Sequence, residues 1–265
     1  MVGAILGDII GSPYEFDNIK TKKFPLFNNL SIFTDDTVLT IAVGKALIEW
    51  NRNGGIAEFK KKLIDIMHDY GNRYPDCGFG GRFETWVLSD SRKPYFSCGN
   101  GSAMRVSAVG WFADSLKEAE EIAKASAEVT HNHPDGIAGA CATAAAVYLA
   151  RVGQTKEQIK SYIENTYYKI PFTLADIRPT YEFEPTCGKT VPQALEAFFE
   201  SVDFEDAIRN GVSIGGDSDT LCAITGAVAE AYYGIDEDLR QTGLSFLDNF
   251  LLDEYEFIIN KMGGI

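Results

Sequence analysis

The sequence predicts an all-α fold, and three observations predict it. Apolar residues recur at three- and four-residue spacing along much of the chain, small residues recur every fourth position in its most apolar segments, and strand patterning is scarce. Asp35 to Trp50 places Leu39, Val43, Leu47 and Trp50 on one helical face. IAEFKKKLIDIMHDYG is amphipathic and is expected to stop at Gly71, with His68 on its exposed side. SLKEAEEIAKASAEVT reads as a surface helix with Ser115 as N-cap and Glu118 completing a capping box. HPDGIAGACATAAAVYLARVG opens with Pro134 at the first helical position and is apolar almost all round, the pattern of a central buried helix. TVPQALEAFFES, DFEDAIRNGV and LSFLDNFLLDEYEFIINKMG complete the set, while KFPLF and PTYEF read as loops.

The small residues explain how such helices would pack. Gly3, Gly7 and Gly11 bare the backbone along one side of the first helix. Gly136, Gly139, Ala140 and Ala144 do so in the central helix, and Ala223, Gly226, Ala227 and Ala231 near the end. Faces of this kind let helices cross closely and bring their ends together around one point.

At 265 residues, with 45% apolar and 23% charged residues, the chain can bury a large core. It shows no linker and no fixed repeat, so one domain over residues 1–265 is expected. A net charge of −14 repels phosphate backbones, which argues against general nucleic-acid or anionic-membrane binding. One small phosphorylated ligand in a pocket stays compatible with it. The five cysteines (77, 98, 141, 187 and 222) lack metal-ligand spacing and read as reduced, mostly buried thiols. The start, MVGAILGDIIG, carries Asp8 in its apolar stretch and lacks the basic region of a signal peptide. The longest apolar run, Gly136 to Ala150, is short of the ~20 residues a bilayer span needs. A soluble cytoplasmic protein is expected.

Two stretches carry the chemistry. FTDDTVL (Phe33 to Leu39) and GGDSDTLC (Gly215 to Cys222) each set two aspartates and a threonine at the entrance of an apolar helix. Helix capping is the plain alternative, since Asp and Thr cap well and early carboxylates suit the helix dipole. Capping needs one or two such side chains, whereas here Thr34, Asp35, Asp36 and Thr37 stand at one end and Asp217, Asp219 and Thr220 at the other. Four carboxylates at buried helix ends need cations. Oxygen donors without His or Cys suit Mg²⁺ or Mn²⁺, and four carboxylates suit two ions roughly 3.5–4 Å apart. Glu15, after the first helix, is a third acidic candidate beside its reading as a solvated loop residue. Asp8 reads equally as a cap or as a supporting group.

YFSCGNGSAMRVSAVGW contains a Gly-Asn-Gly turn before a helix, whose free N–H groups and helix N-terminus would suit a diphosphate. PDCGFGGRFETW is a second glycine-rich loop with aromatics nearby. His131 and His133 precede the central helix, where such a pair caps a helix, lines a pocket or binds a metal.

GAILGDIIGSPYEF, FTDDTVLT, GNGSAMR, THNHPDG and GGDSDT, in this order from Gly3 to about Gly234, resemble the ADP-ribosylglycohydrolases. These are the enzymes related to dinitrogenase reductase-activating glycohydrolase and to the ARH-type hydrolases, and GFGGRFETWVLSDSRKPYFSCGNGSAMR looks like their bacterial branch. The resemblance implies a single-domain orthogonal helical bundle with a central dinuclear Mg²⁺ or Mn²⁺ site. It implies Thr34, Asp35, Asp36, Asp217, Asp219 and Thr220 as metal ligands and Glu15 as the glutamate over the site. It also implies Ser97, Gly99, Asn100 and Gly101 as the loop holding the diphosphate and distal ribose of ADP-ribose, and His131 as a histidine lining the ligand site. Some family members carry an aromatic or another small residue where Cys98 stands.

The activity expected from this resemblance is metal-dependent hydrolysis of the bond between ADP-ribose and an acceptor, such as an arginine side chain of a protein, or a small molecule. Asp35, Asp36 and Glu15 would carry the catalysis. A non-catalytic ADP-ribose-binding relative on the same fold, and a metal-dependent nucleotide phosphohydrolase, are the alternatives.

Overall fold

The computed structural model describes residues 1–263. It is all-α: no strand occurs among the described residues, and one isolated antiparallel bridge joins Gly99 to Thr186. In chain order the helices begin with α1 (Val2–Gly11), α2 (Asp35–Glu49), α3 (Gly55–Arg73), α4 (Gly81–Val87) and α5 (Gly101–Met104). Next come α6 (Ser107–Phe112), α7 (Leu116–Glu128), α8 (Pro134–Arg151), α9 (Lys156–Thr166) and α10 (Leu174–Ile177). The chain continues with α11 (Cys187–Phe199), α12 (Phe204–Ile214), α13 (Ser218–Tyr233), α14 (Glu237–Leu244) and α15 (Asn249–Lys261).

The glycine spacing in α1 is answered by α13. A Cβ on Gly3 would lie 2.2 Å from the carbonyl oxygen of Gly226, one on Gly7 2.0 Å from that of Cys222, and one on Gly11 2.4 Å from that of Ser218. The partners fall in number as α1 rises, so the two helices run antiparallel with backbone against backbone. Every residue of α1 is buried. This crossing sets the C-terminal end of α1 beside the start of α13.

Helix α8 is the buried helix that its composition implies, with α7, α6, α13, α5 and α11 packed around it. His133 is its N-cap, accepting the Asp135 N–H on Nδ1 at 3.0 Å, and Pro134 takes the first helical position. No described helix is long and apolar enough to cross a membrane. All five cysteines are free.

Three local expectations are corrected. Helix α3 runs through Gly71 to Arg73, because Gly71 is a packing glycine whose missing Cβ leaves room for the Val87 methyls, 2.8 Å from where it would stand. His68 is not a surface residue but 5% exposed, packed on Trp86 at 4.2 Å between ring centroids, with Nδ1 3.0 Å from the Val87 carbonyl. Helix α4 and Arg92 beyond it fold back over His68. At α7, Ser115 caps the Glu118 N–H at 3.2 Å, but Glu118 reaches back to the N–H of Asp114 at 2.7 Å rather than to that of Ser115, so no capping box closes.

Gly7→Ala should force α1 and α13 apart. Overpacking against a carbonyl that cannot swing away should cost about 3 kcal/mol or more, read as a lower midpoint in urea with an unchanged slope.

Candidate active site

The antiparallel crossing delivers the acidic residues to one place. Glu15 follows α1 by a single 3₁₀ turn, Ser12–Tyr14, and therefore arrives beside the first residues of α13. One carboxylate oxygen from each of Glu15, Asp217 and Asp219 lies within 4.8 Å of the others. Helix α2 brings Asp35 and Asp36 to the same cleft, and the Thr220 hydroxyl donates to Asp36 Oδ2 at 3.3 Å, tying the start of α13 to that of α2.

The hydrogen bonds separate capping from ligand chemistry. At α2 the cap is Thr34, whose Oγ1 accepts the Asp36 N–H at 3.3 Å. Asp8 of α1 does the rest: it accepts the Thr34 N–H at 2.9 Å, the Thr34 hydroxyl at 2.8 Å, the Thr37 N–H at 3.1 Å and the Thr37 hydroxyl. Asp8 is thus a supporting group that fastens the end of α2. Asp35 and Asp36 are left over as caps, and Asp36 Oδ1 is buried with no partner. At α13, Asp217 occupies the N-cap position yet makes no capping bond, and accepts instead from Asn100 Nδ2 at 2.7 Å. Asp219 Oδ1 takes the adjacent Thr220 N–H at 2.9 Å.

None of these carboxylates is in an ion pair with a lysine or arginine among the described residues. Their protonation shows the consequence. Burial, and then the neighbouring carboxylates, push Asp35, Asp36 and Asp219 well above the usual carboxylate range. Burial also raises Asp217, lifts Asp8 to about 6 and, with Asp217 and Asp8 adding to it, lifts Glu15 to about 7. A divalent cation would reverse this by stabilising the charged forms. Clustered oxygen donors with an orphaned buried acceptor and no cationic side chain fit a hard cation.

The cleft, about 460 Å³, also holds the glycine turn. Glu15, Asp35, Asp36, Ser97, Gly99, Asn100, Gly101, His131, Asp217, Asp219 and Thr220 line it. Thr34 does not, its hydroxyl being given to Asp8, and neither do Asp8, Thr37 or the helix cap His133. The Gly-Asn-Gly turn differs from the expected nest of free amides. The Gly99 N–H is taken by Ser97 Oγ at 3.1 Å and the Asn100 N–H by the Pro185 carbonyl at 2.8 Å, and the helix it opens is one turn long. The glycines serve space instead: Cβ atoms on Gly99 and Gly101 would stand 3.4 and 3.2 Å from His131 Nε2. Burial and the nearby Arg105 and Arg82 hold His131 well below the ordinary histidine range, so it is neutral. Its Nδ1 pairs with the Thr130 hydroxyl at 2.8 Å, and Arg105 Nη2 donates to that same oxygen at 2.9 Å. The Thr130 proton is then available to Nδ1, which favours the tautomer with N–H on Nε2, facing the turn.

The sequence reading passed over two cationic residues of this half of the cleft. Arg105, the last residue of the GNGSAMR motif, is fully buried, and among the described residues it has no acidic partner and its Nε and Nη1 lack hydrogen bonds. Arg82 comes from the second glycine-rich loop and lies over the Tyr95 ring at 5.0 Å. Position in a glycine-rich loop was the available signal, but a lone arginine in a sequence carries no mark of burial. Phe96, between Tyr95 and Ser97 of the cleft wall, has φ +56 and is the one non-glycine residue at positive φ among the described residues. The side-chain oxygen of Asn132 holds its N–H at 2.8 Å.

The chain matches the ADP-ribosylglycohydrolase family over residues 1–251 and belongs to it. It is 24% identical to ADP-ribosylhydrolase ARH3 of Homo sapiens over 316 residues, covering 89% of this chain and 85% of that protein. It is 28% identical to the ADP-ribosyl-[dinitrogen reductase] glycohydrolase of Rhodospirillum rubrum over 235 residues, covering 81% of this chain and 73% of that protein. A solved ADP-ribosylglycohydrolase-related protein complex superposes with a TM-score of 0.72 at 21% identity, covering 98% of this chain and 95% of that one, a likeness of fold.

Two outcomes are expected. Mn²⁺ or Mg²⁺ at a hundredfold excess over its dissociation constant should add about 2.7 kcal/mol of stability, seen as a rise in Tm that EDTA removes. Asp8→Ala should cost about 2 kcal/mol or more by stranding buried N–H groups of α2, and should weaken Mn²⁺ binding measured by calorimetry.

Proposed function

We propose that this chain is a divalent-metal-dependent hydrolase that releases ADP-ribose from a protein side chain such as arginine. The observation that carries the reading is the division of one cleft into two ends. One end gathers Glu15, Asp35, Asp36, Asp217 and Asp219 without a cationic side chain. The other sets the glycine turn against neutral His131 and two arginines that make no ion pair. A substrate with a diphosphate at one end and a ribose to be held by metal at the other suits that division.

Asp35, Asp36, Asp217, Asp219 and Thr220 would hold a pair of Mg²⁺ or Mn²⁺ ions. Thr34, the sixth ligand the resemblance implies, has its hydroxyl on Asp8 and the Asp36 N–H and would serve them by fixing the start of α2. Such ions supply Lewis-acid polarisation and neutralise the carboxylates. Ser97, Gly99, Asn100, Gly101 and His131 would bind the diphosphate and distal ribose, with Arg82 and Arg105 adding positive charge. Hydrolysis breaks the bond from C1 of that ribose to the leaving nitrogen or oxygen and forms one from C1 to the oxygen of water. Asp35 or Asp36 orients the water and accepts its proton. Glu15, at the mouth of the cluster, gives a proton to the leaving atom, so charge balances over the reaction. The positive charge that develops at C1 is stabilised by the surrounding carboxylates.

The rim beside Glu15 supports arginine as the acceptor. Phe16 and Phe183 stack at 6.3 Å between centroids and are 86% and 46% exposed. Asp17, Glu182 and Glu184 stand on the same two segments. Aromatic faces beside carboxylates favour a planar cation.

The test is release of free ADP-ribose from Arg-linked and Ser-linked peptides with Mg²⁺, Mn²⁺ or EDTA. Metal-dependent release from the Arg-linked peptide is expected. Release of phosphate would point to a phosphohydrolase, and ADP-ribose binding without turnover to a binding protein. Asp36→Ala should lose activity by about a thousandfold, and full activity in that variant would remove Asp36 from the mechanism.

A further inference from the structure

The turn that carries Asp217 is held by a residue from the segment that carries Glu15. Gly215 and Gly216, immediately before Asp217, have φ of +72 and +81. Asn18 binds that turn from both sides of its amide: Oδ1 accepts the Gly216 N–H at 2.7 Å, and Nδ2 donates to the Gly216 carbonyl at 2.9 Å. The other hydrogen of Nδ2 is shared between the carbonyls of Tyr14 at 2.6 Å and Glu15 at 3.0 Å. Two residues on, Lys20 donates to the carbonyls of Tyr181 and Ile214. The turn has no room to relax outward. A Cβ on Gly216 would stand 2.4 Å from Tyr181 Cε1, and one on Gly215 2.8 Å from Lys20 Nζ and 3.0 Å from Asn18 Oδ1.

We propose that Asn18 is a positioning residue that locks the Glu15 turn to the Gly215–Gly216–Asp217 turn and so sets the separation of Glu15 from Asp217 and Asp219. This rests on the function proposed above. The physical need is plain: three carboxylates within 4.8 Å repel one another, and the two backbone segments that carry them have to be joined by something other than those side chains. A neutral amide does this best. It supplies donors and an acceptor together and adds no charge to the cluster. Asn18 is exposed, and outward exposure is the reason it escapes notice as a site residue.

Two variants test it. Asn18→Ala removes all four bonds. It should raise the exchange rate of the Gly216 amide and weaken Mn²⁺ binding measured by calorimetry. It should also lower kcat by about tenfold or more with little change in KM, because the misplaced groups act on the reacting bond. Asn18→Asp keeps an acceptor for the Gly216 N–H but has no donor for Tyr14, Glu15 or Gly216. Gly216 should stay protected while kcat still falls, and this variant decides the matter if Asn18→Ala does not fold. A merely structural role would lower Tm and leave kcat per folded molecule and Mn²⁺ affinity within twofold of the parent, which would overturn the proposal. A parent protein that neither binds Mn²⁺ nor releases ADP-ribose would overturn the proposed function and this inference together. An active parent with unaffected variants would overturn the inference alone.

Discussion

The structure depends on the contact of bare backbone between α1 and α13. Helices normally meet through side chains, which leaves their ends some freedom to slide. Here Gly3, Gly7, Gly11 and Gly226 remove that layer, and carbonyl oxygens of each helix lie where the other's Cβ atoms would be. A crossing so close has few ways to be built. It fixes the register of the two helices, and with it the position of everything attached to their ends. Glu15 and the Asp217–Asp219 pair come from opposite parts of the chain and meet because these two helices cannot shift. Asp8, on the same α1, carries that precision on to α2 through its four hydrogen bonds to Thr34 and Thr37.

Such rigidity has an electrostatic use. Carboxylates brought together in a buried place repel one another, and a compliant scaffold would let them separate or would supply a lysine. This scaffold does neither. The acidic side chains stay together because α1 is fixed to α13 by backbone contact and to α2 by Asp8, so that Asp217 and Asp36 Oδ1 are not needed as caps. The opposite end of the cleft has the complementary problem, a buried guanidinium without a counter-charge, and solves it only in part: Arg105 gives two hydrogen bonds, to the Ser126 carbonyl and Thr130, and keeps two nitrogens unengaged. Unsatisfied groups of opposite sign at the two ends of one cleft are what a ligand of matching polarity would complete. Asn100 joins the ends, since its backbone belongs to the glycine turn and its amide holds Asp217.

Much of this was legible in the chain. The helical periods marked the helices, and the four-residue spacing of glycine marked a close crossing. The surplus of aspartates over what capping requires marked Asp35, Asp36, Asp217 and Asp219; the cap of α2 is Thr34, and Asp217 makes no capping bond at α13. Errors arose where a residue's local role and its tertiary role differ. Gly71 looks like a helix stop and is a packing site. His68 sits on an amphipathic helix and is covered by α4. Glu118 has capping-box spacing but prefers the amide one residue earlier. The glycine turn looks like a nest of free amides, yet two of them are spent on Ser97 and Pro185.

The sequence by itself determined the helical class and the acidic residues, because periodicity, glycine spacing and side-chain type are properties of a linear pattern, and it pointed to the family through the motifs it resembles. Only the tertiary structure decided which residues share the cleft and which partners they have. Asp8 as the fastening of α2, Arg82 and Arg105 beside His131, and Asn18 between Glu15 and Gly216 all depend on contacts between segments far apart in the chain. The pattern around each residue is the same whether or not the distant partner arrives; the close crossing of α1 and α13 is what brings the Glu15 and Gly216 segments together.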